Sequence, residues 1–309
     1  MSFSYIPVIV TFNRKDKLIT AIQSVLDQTI QPQKIVIVDN HSDDGTQDLV
    51  KKNYQDEIDN GLIDYHYLPE NIGGSGGFSK GVKYANKYET DYIAVSDDDA
   101  FYRKDYFEKI SDAAKENPSV KAFQGFSYNS EQKEYFVEGR KIINWNTLDS
   151  VAIPNEGKNV FADLSTFVGL TFSKGLINKV GYPVDNFFIW NDDAEYSLRL
   201  GKVTKILQVK DAVVDHSQVQ RVSGNLVPLW KTYYGFRNKI VLRKLYAKNK
   251  LLARFYDFYF LIRQCIAATL KPNYKKVRFH YIKAFINAYV DAYKNRLGKN
   301  NNYMPGKEY

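Results

Sequence analysis

The feature that most constrains the fold is a regular alternation of apolar runs, polar turns and helical stretches over the first hundred residues. Apolar runs predict strands at 6–10, 34–38, 63–68 and 92–96, and the intervening sequence predicts helices at 17–26, from 46 and from about 79. This alternation predicts an α/β fold, with a mostly parallel sheet, right-handed crossovers and helices on both faces.

Polar residues stand where the predicted strands end. In open α/β sheets, ligands bind beyond the carboxyl ends of the strands. We therefore expect one crevice to collect Thr11, Asp39, Asn71 and the triplet Asp97, Asp98 and Asp99.

The chain divides into an α/β domain over residues 1–227 and a helical extension over residues 228–309. Within the domain, the pattern changes near residue 123 to shorter strands and turns. The extension is rich in Tyr, Phe, Leu, Lys and Arg and has few helix breakers apart from Pro272. Its pattern predicts two or three amphipathic helices.

Charge is distributed unevenly between these two parts. Residues 228–309 contain 18 Lys and Arg and 3 Asp and Glu, a net charge of +15, whereas residues 1–227 carry −7. The basic extension fits solvated helix faces, an anionic membrane surface, a phosphate-bearing acceptor or the pairing of two chains into a homo-oligomer. The acidic body disfavours wrapping of nucleic acid, so no nucleic-acid partner is expected.

Targeting signals are not evident in the sequence. The first 14 residues lack the basic segment, apolar core and cleavage site of a signal peptide, and no run of about 18 uncharged apolar residues suggests a spanning helix. We therefore expect a cytoplasmic protein. Cys265 is the only cysteine, which excludes an internal disulfide and predicts a packed thiol in an apolar helix.

The triplet at 97–99 follows an apolar strand, and three adjacent carboxylates repel one another unless a cation is near. Oxygen ligands of this kind suit Mg²⁺ or Mn²⁺, which bridge protein carboxylates to substrate phosphates. His216 follows a second short apolar run and is able to complete the same coordination. The alternatives are a solvated acidic loop and a structural histidine.

The glycine-rich run at 71–78 contains Gly73 and Gly74 and precedes a predicted helix. Such a run lets backbone amides approach a diphosphate at a helix N-terminus. Its spacing matches neither the phosphate loop of nucleotide hydrolases nor the dinucleotide fingerprint. A flexible turn explains the glycines equally well.

A second acidic group, Asp192, Asp193 and Glu195, opens a stretch with helical periodicity after Trp190. One of these carboxylates is a candidate general base that removes the proton from an attacking hydroxyl. The alternative is that acidic residues favour a helix N-terminus through the macrodipole.

Taken together, these segments resemble glycosyltransferase family 2 enzymes of the GT-A fold over roughly residues 5–240. Within that family the chain is most similar to bacterial galactofuranosyltransferases, which use UDP-galactofuranose. The resemblance is carried by VTFNR, IVDNHSDDGT, NIGGSGGF, the triplet at 97–99, IWNDDAEYSLR, His216 and YYGFRN at 233–238.

The resemblance implies a Rossmann-like GT-A domain with a nucleotide-sugar half over about 1–122 and an acceptor half over about 123–227. It implies inverting transfer with Asp193 as the base, and Mn²⁺ or Mg²⁺ held by Asp97, Asp99 and His216. The donor side is implied to comprise Thr11, Arg14, Asp39, Asn71, Gly73, Gly74, Asp97 and Asp98. Sugar contacts are implied for Trp190, Asp192 and Glu195, although Asn191 departs from the family's Trp-Asp-Asp-x-Glu order.

Two alternative functions remain open from the sequence. A family 2 rhamnosyltransferase using dTDP-rhamnose has a similar Tyr-Tyr-x-x-Arg-Asn segment and an acidic base. A protein that binds nucleotide sugars or nucleic acid without catalysis is the alternative from another class. The favoured function is transfer to a carbohydrate acceptor, free or lipid-linked, in cell-surface polysaccharide or glycolipid synthesis, at the inner face of the cell membrane.

Overall fold

The structure, a computed structural model, describes residues 3–136, 140–154, 157–216 and 226–307. Its strands within those residues are β1 (Tyr5–Thr11), β2 (Ile35–Asp39), β3 (Ile63–Tyr67), β4 (Tyr92–Asp97), β5 (Ala100–Tyr102), β6 (Ala122–Asn129), β7 (Glu134–Tyr135), β8 (Lys141–Asn144), β9 (Asp149–Ala152), β10 (Val160–Ala162), β11 (Val168–Ser173) and β12 (Ile206–His216).

The helices alternate with the strands at first and then follow one another at the end of the chain. They are α1 (Lys15–Leu26), α2 (Thr46–Asp59), α3 (Gly73–Ala85), α4 (Tyr106–Glu116), α5 (Ile177–Val180), α6 (Asp192–Leu200), α7 (Leu229–Tyr246), α8 (Lys250–Leu270) and α9 (Arg278–Tyr293), with short 3₁₀ turns at Lys174–Leu176 and Pro272–Tyr274.

One mixed sheet organises most of the strands, in the order β10-β12-β6-β11-β4-β1-β2-β3. Strands β4, β1, β2 and β3 are parallel, as the alternating pattern predicts. Strand β11 is antiparallel to both of its neighbours, and β12 is parallel to β6. The carboxyl ends of β1, β2, β3 and β4 therefore lie along one edge, where the polar residues were expected.

Both faces of this sheet are covered by helices because strand residues alternate in direction. From β1, Tyr5 and Ile9 pack in a core cluster with apolar residues of α1, α2 and α4. Ile6 and Val8 lie in a second cluster with Val82 of α3 and with residues of α6. The prediction of helices on both faces is confirmed.

The start of α3 differs from the prediction. The helix begins at Gly73, six residues before the predicted start near Ser79, so the glycine-rich run is helical. A Cβ at Gly77 would lie 2.6 Å from Val10 Cγ1, and one at Gly81 would lie 2.3 Å from Val8 Cγ1. These glycines let α3 lie close against β1, so a tertiary contact outweighs the low helix propensity of glycine.

Two compact units are distinguished by their internal contacts. The sheet unit comprises 1–142, 151–185 and 193–218, and the helical unit comprises 143–150, 186–192 and 219–309. The helical unit contains α7, α8 and α9, so the prediction of two or three helices in the extension is confirmed. The domain boundary at 227/228 stays a prediction, since two short earlier segments group with these helices. None of the helices in the described ranges is both long enough and apolar enough to cross a membrane.

Candidate active site

Asp97, Asp99 and His216 are brought together by the pairing of two strands. Asp97 ends β4, and Asp99 directly precedes β5. Strand β12 runs antiparallel to β5 with His216 opposite Ala100. One ligand atom from each of the three side chains lies within 4.8 Å of the others. Residues 117 positions apart thus form the cluster that the sequence predicts.

The chemistry of this cluster suits a divalent cation. Asp99 and His216 are buried, and His216 Nε2 lies 3.2 Å from Asp99 Oδ1. Burial opposes ionisation, but the hydrogen bond to His216 and the charges of Arg14 and Lys17 lower the pKa of Asp99 to about 2. An ionised carboxylate beside an imidazole is a suitable donor set for Mn²⁺ or Mg²⁺, with Mn²⁺ the more tolerant of nitrogen.

The middle aspartate of the triplet points to different partners. Asp98 is 3% exposed, and its Oδ2 accepts a hydrogen bond of 2.7 Å from Thr11 Oγ1. An Arg14 guanidinium nitrogen donates to Asp98 at 3.1 Å and to Asp99 at 2.9 Å. Burial raises the pKa of Asp98, and the charge of Arg14 acts against that rise. Asp98 therefore forms a hydrogen-bonded group with Thr11 and Arg14, and Arg14 links this group to Asp99.

Asp39 lies at the end of β2 and is fully buried. Its carboxylate accepts a hydrogen bond from Ser42 N at 2.7 Å and another from the Tyr65 hydroxyl. These two bonds fix the turn after β2, which leads into α2. Contact between Asp39 and a nucleotide base stays a prediction.

The N-terminus of α3 is built by two asparagines. Asn71 Oδ1 accepts a hydrogen bond from Gly73 N at 2.8 Å, and Asn40 Oδ1 accepts one from Ile72 N at 3.0 Å. A Cβ placed on Gly74 would meet no atom within 4 Å, unlike one on Gly77. The first turn of α3 is therefore open around Gly74 while its later glycines are packed.

Asp193 lies in the first turn of α6 and is half-buried. Burial raises the pKa of its carboxyl to about 6, while a hydrogen bond from Ala194 N and the charge of Lys141 act in the opposite direction. A carboxylate that titrates near neutral pH is suited to accept a proton during catalysis. The helix is held in place by Ser197, whose hydroxyl donates to Ser165 O and accepts from Ser165 N.

Glu195 has a different environment from Asp193. It is 3% exposed and forms an ion pair with Arg199, with an N–O distance of 2.7 Å. Arg199 also donates to the carbonyl oxygens of Val180 and Tyr182. This arrangement favours a structural role for Glu195, and its predicted contact with substrate stays a prediction.

Within the helical unit, the segment before Asp193 is held by α7. Trp190 packs against Gly235, where an added Cβ would lie 2.7 Å from the indole ring. Asn238 Nδ2 lies 2.9 Å from both Ile189 O and Trp190 O and 3.0 Å from Phe187 O. Positive φ angles at Phe188, Trp190 and Asn191 make this segment a tight, irregular turn. Asp192, which follows, is buried.

Three basic residues of the sheet unit were not predicted from the sequence. Lys17 Nζ lies 3.5 Å from Asp99 Oδ2, and the charge of Lys141 acts on Asp193. The Arg140 guanidinium is buried 3.8 Å from the Phe126 ring centroid, and its nitrogens have no hydrogen-bond partner among the described residues. Isolated cations in a polar sequence give no signal of this kind, because only the fold brings Lys17 and Lys141 to the acids and Arg140 to an aromatic ring.

The chain matches the family model described as glycosyl transferase family 2 over residues 8–173. It is 32% identical over 117 residues to the putative teichuronic acid biosynthesis glycosyltransferase TuaG of Bacillus subtilis, covering 38% of this chain and 44% of that protein. It is 26% identical over 202 residues to the galactofuranosyltransferase GlfT1 of Mycolicibacterium smegmatis, covering 62% and 64%. The matches therefore span less than two thirds of these relatives.

Solved structures with low sequence identity share the fold. GalNAc-T7, crystallised with UDP, GalNAc and Mn²⁺, has a TM-score of 0.65 at 14% identity, over 91% of this chain and 55% of that one. S. aureus TarS 1–349 in complex with UDP-GlcNAc has a TM-score of 0.56 at 16% identity, over 94% and 81%. The predicted GT-A fold with additional C-terminal helices is confirmed.

Proposed function

Because the chain belongs to glycosyl transferase family 2, we propose that it is an inverting, metal-dependent enzyme that transfers galactofuranose from UDP-galactofuranose to a carbohydrate hydroxyl. The observation that carries this proposal is the convergence of Asp97, Asp99 and His216 at the edge of the sheet. The galactofuranosyl donor is supported by the similarity to GlfT1.

Asp97, Asp99 and His216 are proposed to hold one Mn²⁺ or Mg²⁺. When bound, such a cation offsets negative charge on the departing diphosphate. Arg14 lies beside the same carboxylates and is half-exposed, so its guanidinium is placed to contact a donor phosphate.

The remaining donor contacts are assigned along the ends of the parallel strands. Thr11 and Asp39 are proposed for the nucleotide base, with Asp98 holding Thr11. Gly73 and Gly74 begin α3, where amide groups favour an anionic ligand through the helix dipole. Asn71, which precedes the helix and accepts from Gly73 N, is proposed to lie beside the same ligand. Trp190, Asp192 and Glu195 are proposed to contact or position the sugar substrates.

Asp193 is the proposed general base. It accepts the proton of the acceptor hydroxyl as the acceptor oxygen forms a bond to the anomeric carbon. The bond between that carbon and the diphosphate oxygen breaks with its electron pair, and UDP leaves. Since attack and departure occur on opposite sides of one carbon, the configuration inverts. The pKa of about 6 leaves Asp193 ionised at neutral pH.

The acceptor is proposed to be a cell-surface polysaccharide or glycolipid precursor carried on a lipid. The enzyme would then work on the cytoplasmic side, at the inner face of the membrane. A homo-oligomer remains compatible with this arrangement, and no nucleic-acid partner is proposed. A rhamnosyltransferase using dTDP-rhamnose is the second candidate, favoured by the YYGFRN segment.

A donor panel tests the proposal. UDP-galactofuranose, other UDP-sugars and dTDP-rhamnose are supplied with Mn²⁺, with Mg²⁺ and with chelator, and nucleotide release is measured. We expect metal-dependent UDP release from UDP-galactofuranose, and loss of metal-dependent donor binding in Asp99→Ala. Turnover of dTDP-rhamnose alone would leave the fold and base in place but overturn the donor, and full activity with chelator would overturn the metal site.

A further inference from the structure

Helix α8 carries a row of large apolar side chains directed to solvent. Its buried residues are Ala253, Asp257, Leu261 and Ala268, which lie on one side of the helix. The opposite side presents Leu251, Phe255, Phe258, Tyr259, Ile262, Ile266 and Leu270, all exposed. Their spacing of three or four residues places them in one stripe on the helix surface. We call this stripe the outer face of α8.

The side chains of the outer face are strongly exposed. Leu251 is 80% exposed, Phe255 65% and Leu270 74%. The stripe extends from Leu251 to Leu270, or about 28 Å along the helix. Scattered apolar residues on a surface need no explanation, but a continuous row of this length indicates an interaction site.

Exposed basic residues flank the outer face within α8 and stand near both ends of this helix in the sequence. Arg254 and Arg263 flank the stripe within α8, Lys248 and Lys250 precede it, and further lysines follow α8; these exposed residues are Lys271, Lys275 and Lys276. Long basic side chains of this kind keep their charges in water while their stems lie along an apolar surface. An apolar stripe flanked by cations is the pattern of a helix lying in the plane of an anionic lipid surface.

Charge complementarity decides between a lipid surface and a second copy of the chain. The acidic side chains of α8 and α9 are already engaged: Asp257 is paired with Arg243 at 3.0 Å, and Asp291 accepts from the Tyr233 hydroxyl at 2.6 Å. A second copy that paired through the same face would therefore bring one strongly basic surface against another. An anionic bilayer supplies both the apolar interior and the negative charge that this surface lacks.

We propose that the outer face of α8 binds anionic phospholipid, inserting its apolar side chains at the level of the head groups. This inference deepens the proposed function, on which it rests for the lipid-linked acceptor. The helix lies on the membrane and does not cross it, in agreement with the charges at Arg254, Asp257 and Arg263 within it. Binding through α8 would thereby hold the protein at the surface where a bilayer presents lipid-linked acceptors.

The test uses the whole 309-residue chain and vesicles of phosphatidylglycerol mixed with phosphatidylcholine, or of phosphatidylcholine alone. Cys265 is the only cysteine and lies on α8, so an environment-sensitive fluorophore attached there reports insertion. Labelling is performed at mildly alkaline pH, because burial raises the pKa of the Cys265 thiol. We expect a blue shift in emission with the anionic vesicles only. Flotation of the unlabelled Cys265→Ser variant controls for effects of the dye.

Three variants sharpen the test. Phe255→Ser combined with Ile262→Ser is expected to weaken binding to anionic vesicles about tenfold or more, since both side chains are exposed and their loss spares the fold. Arg254→Gln combined with Arg263→Gln is expected to weaken it about tenfold. Val151→Ser removes an apolar side chain that is 69% exposed in the sheet unit and is expected to bind like the wild type.

Each result supports or overturns the inference that the outer face of α8 binds anionic phospholipid. Undiminished vesicle binding by the apolar double variant, or no binding by the wild type, would overturn the inference. A wild-type dimer that the same variant converts to a monomer, without vesicle binding, would assign the face to a second copy. Since vesicle binding is measured without donor, and transfer is measured with a water-soluble acceptor, failure of the surface and failure of the proposed function are distinguishable.

Discussion

Replacing Asp193 by asparagine tests the proposed base through stability as well as rate. The fold raises the pKa of this carboxyl from 3.8 to about 6 by burial, so the folded state binds the proton more tightly than the unfolded state. The wild type therefore loses stability as pH rises from about 4 through 6. An asparagine has no charge to desolvate, so Asp193→Asn avoids this loss.

The magnitude follows from the size of that rise in pKa. The full rise in pKa corresponds to a decrease of roughly 3 kcal/mol in the free energy of unfolding of the wild type above pH 7. Asp193 is half-buried, and solvent screening reduces the effect to about 1–2 kcal/mol. We expect Asp193→Asn to be more stable than the wild type by this amount at pH 8 and equal to it below pH 4. In the same variant, transfer should fall about 10²- to 10⁴-fold while donor binding is retained.

The measurements are urea unfolding at pH 4 and pH 8, transfer kinetics and donor titration. For the wild type, kcat/KM should rise through about pH 6 as Asp193 ionises. Asp211→Asn, at an exposed position of β12, is the control, with a stability change within about 0.5 kcal/mol. The reasoning is refuted if Asp193→Asn is no more stable than the wild type at pH 8, or if donor affinity falls as far as the rate.

Two further predictions concern residues that shape the fold around the site. Asn238→Ala removes the amide that donates to carbonyl oxygens of residues 187, 189 and 190, and urea unfolding should show that the free energy of unfolding falls by about 2–4 kcal/mol. Asn301→Ala, at an exposed position, is its control, and equal stability of the two variants would contradict a stabilising role for these hydrogen bonds. Gly81→Ala should cost about 1–3 kcal/mol because its Cβ would lie 2.3 Å from Val8 Cγ1. Gly74→Ala, at a position with open space around it, should leave stability unchanged or increase it. Adding Val8→Ala to Gly81→Ala should restore part of the stability lost in the single variant. Additive losses from these two substitutions would refute the packing argument.

The sequence by itself was sufficient for the α/β alternation and for the acids at the strand ends. Apolar periodicity reports which residues must be buried, and parallel strands place their carboxyl ends at one edge. The sequence alone therefore predicts that the triplet at 97–99 and Thr11 lie in the same crevice. The apolar run before His216 indicated this residue as a further metal ligand, and the family resemblance added Asp193 as the candidate base. The GT-A fold is confirmed, whereas the roles of these two residues stay predictions.

Local propensity failed where tertiary contact outweighs it. The glycines at 73–77 favour a turn in isolation, yet they are helical because α3 must lie close to β1. The sequence before His216 shows only a short apolar run, whereas β12 begins at Ile206 and pairs with both β6 and β5. Pairing energy between distant segments is not encoded in a short window of sequence.

What the sequence determined, then, is the order of elements and the chemical types that stand at their ends. Only the tertiary structure decided that His216 lies beside Asp99 and that Asp98 instead accepts hydrogen bonds from Thr11 and Arg14. The same holds for the burial that raises the pKa of Asp193. The tertiary structure also decided that the outer face of α8 is exposed to solvent. The physical reason is that distance, burial and screening depend on which remote residues become neighbours, and that is fixed only when the chain has folded.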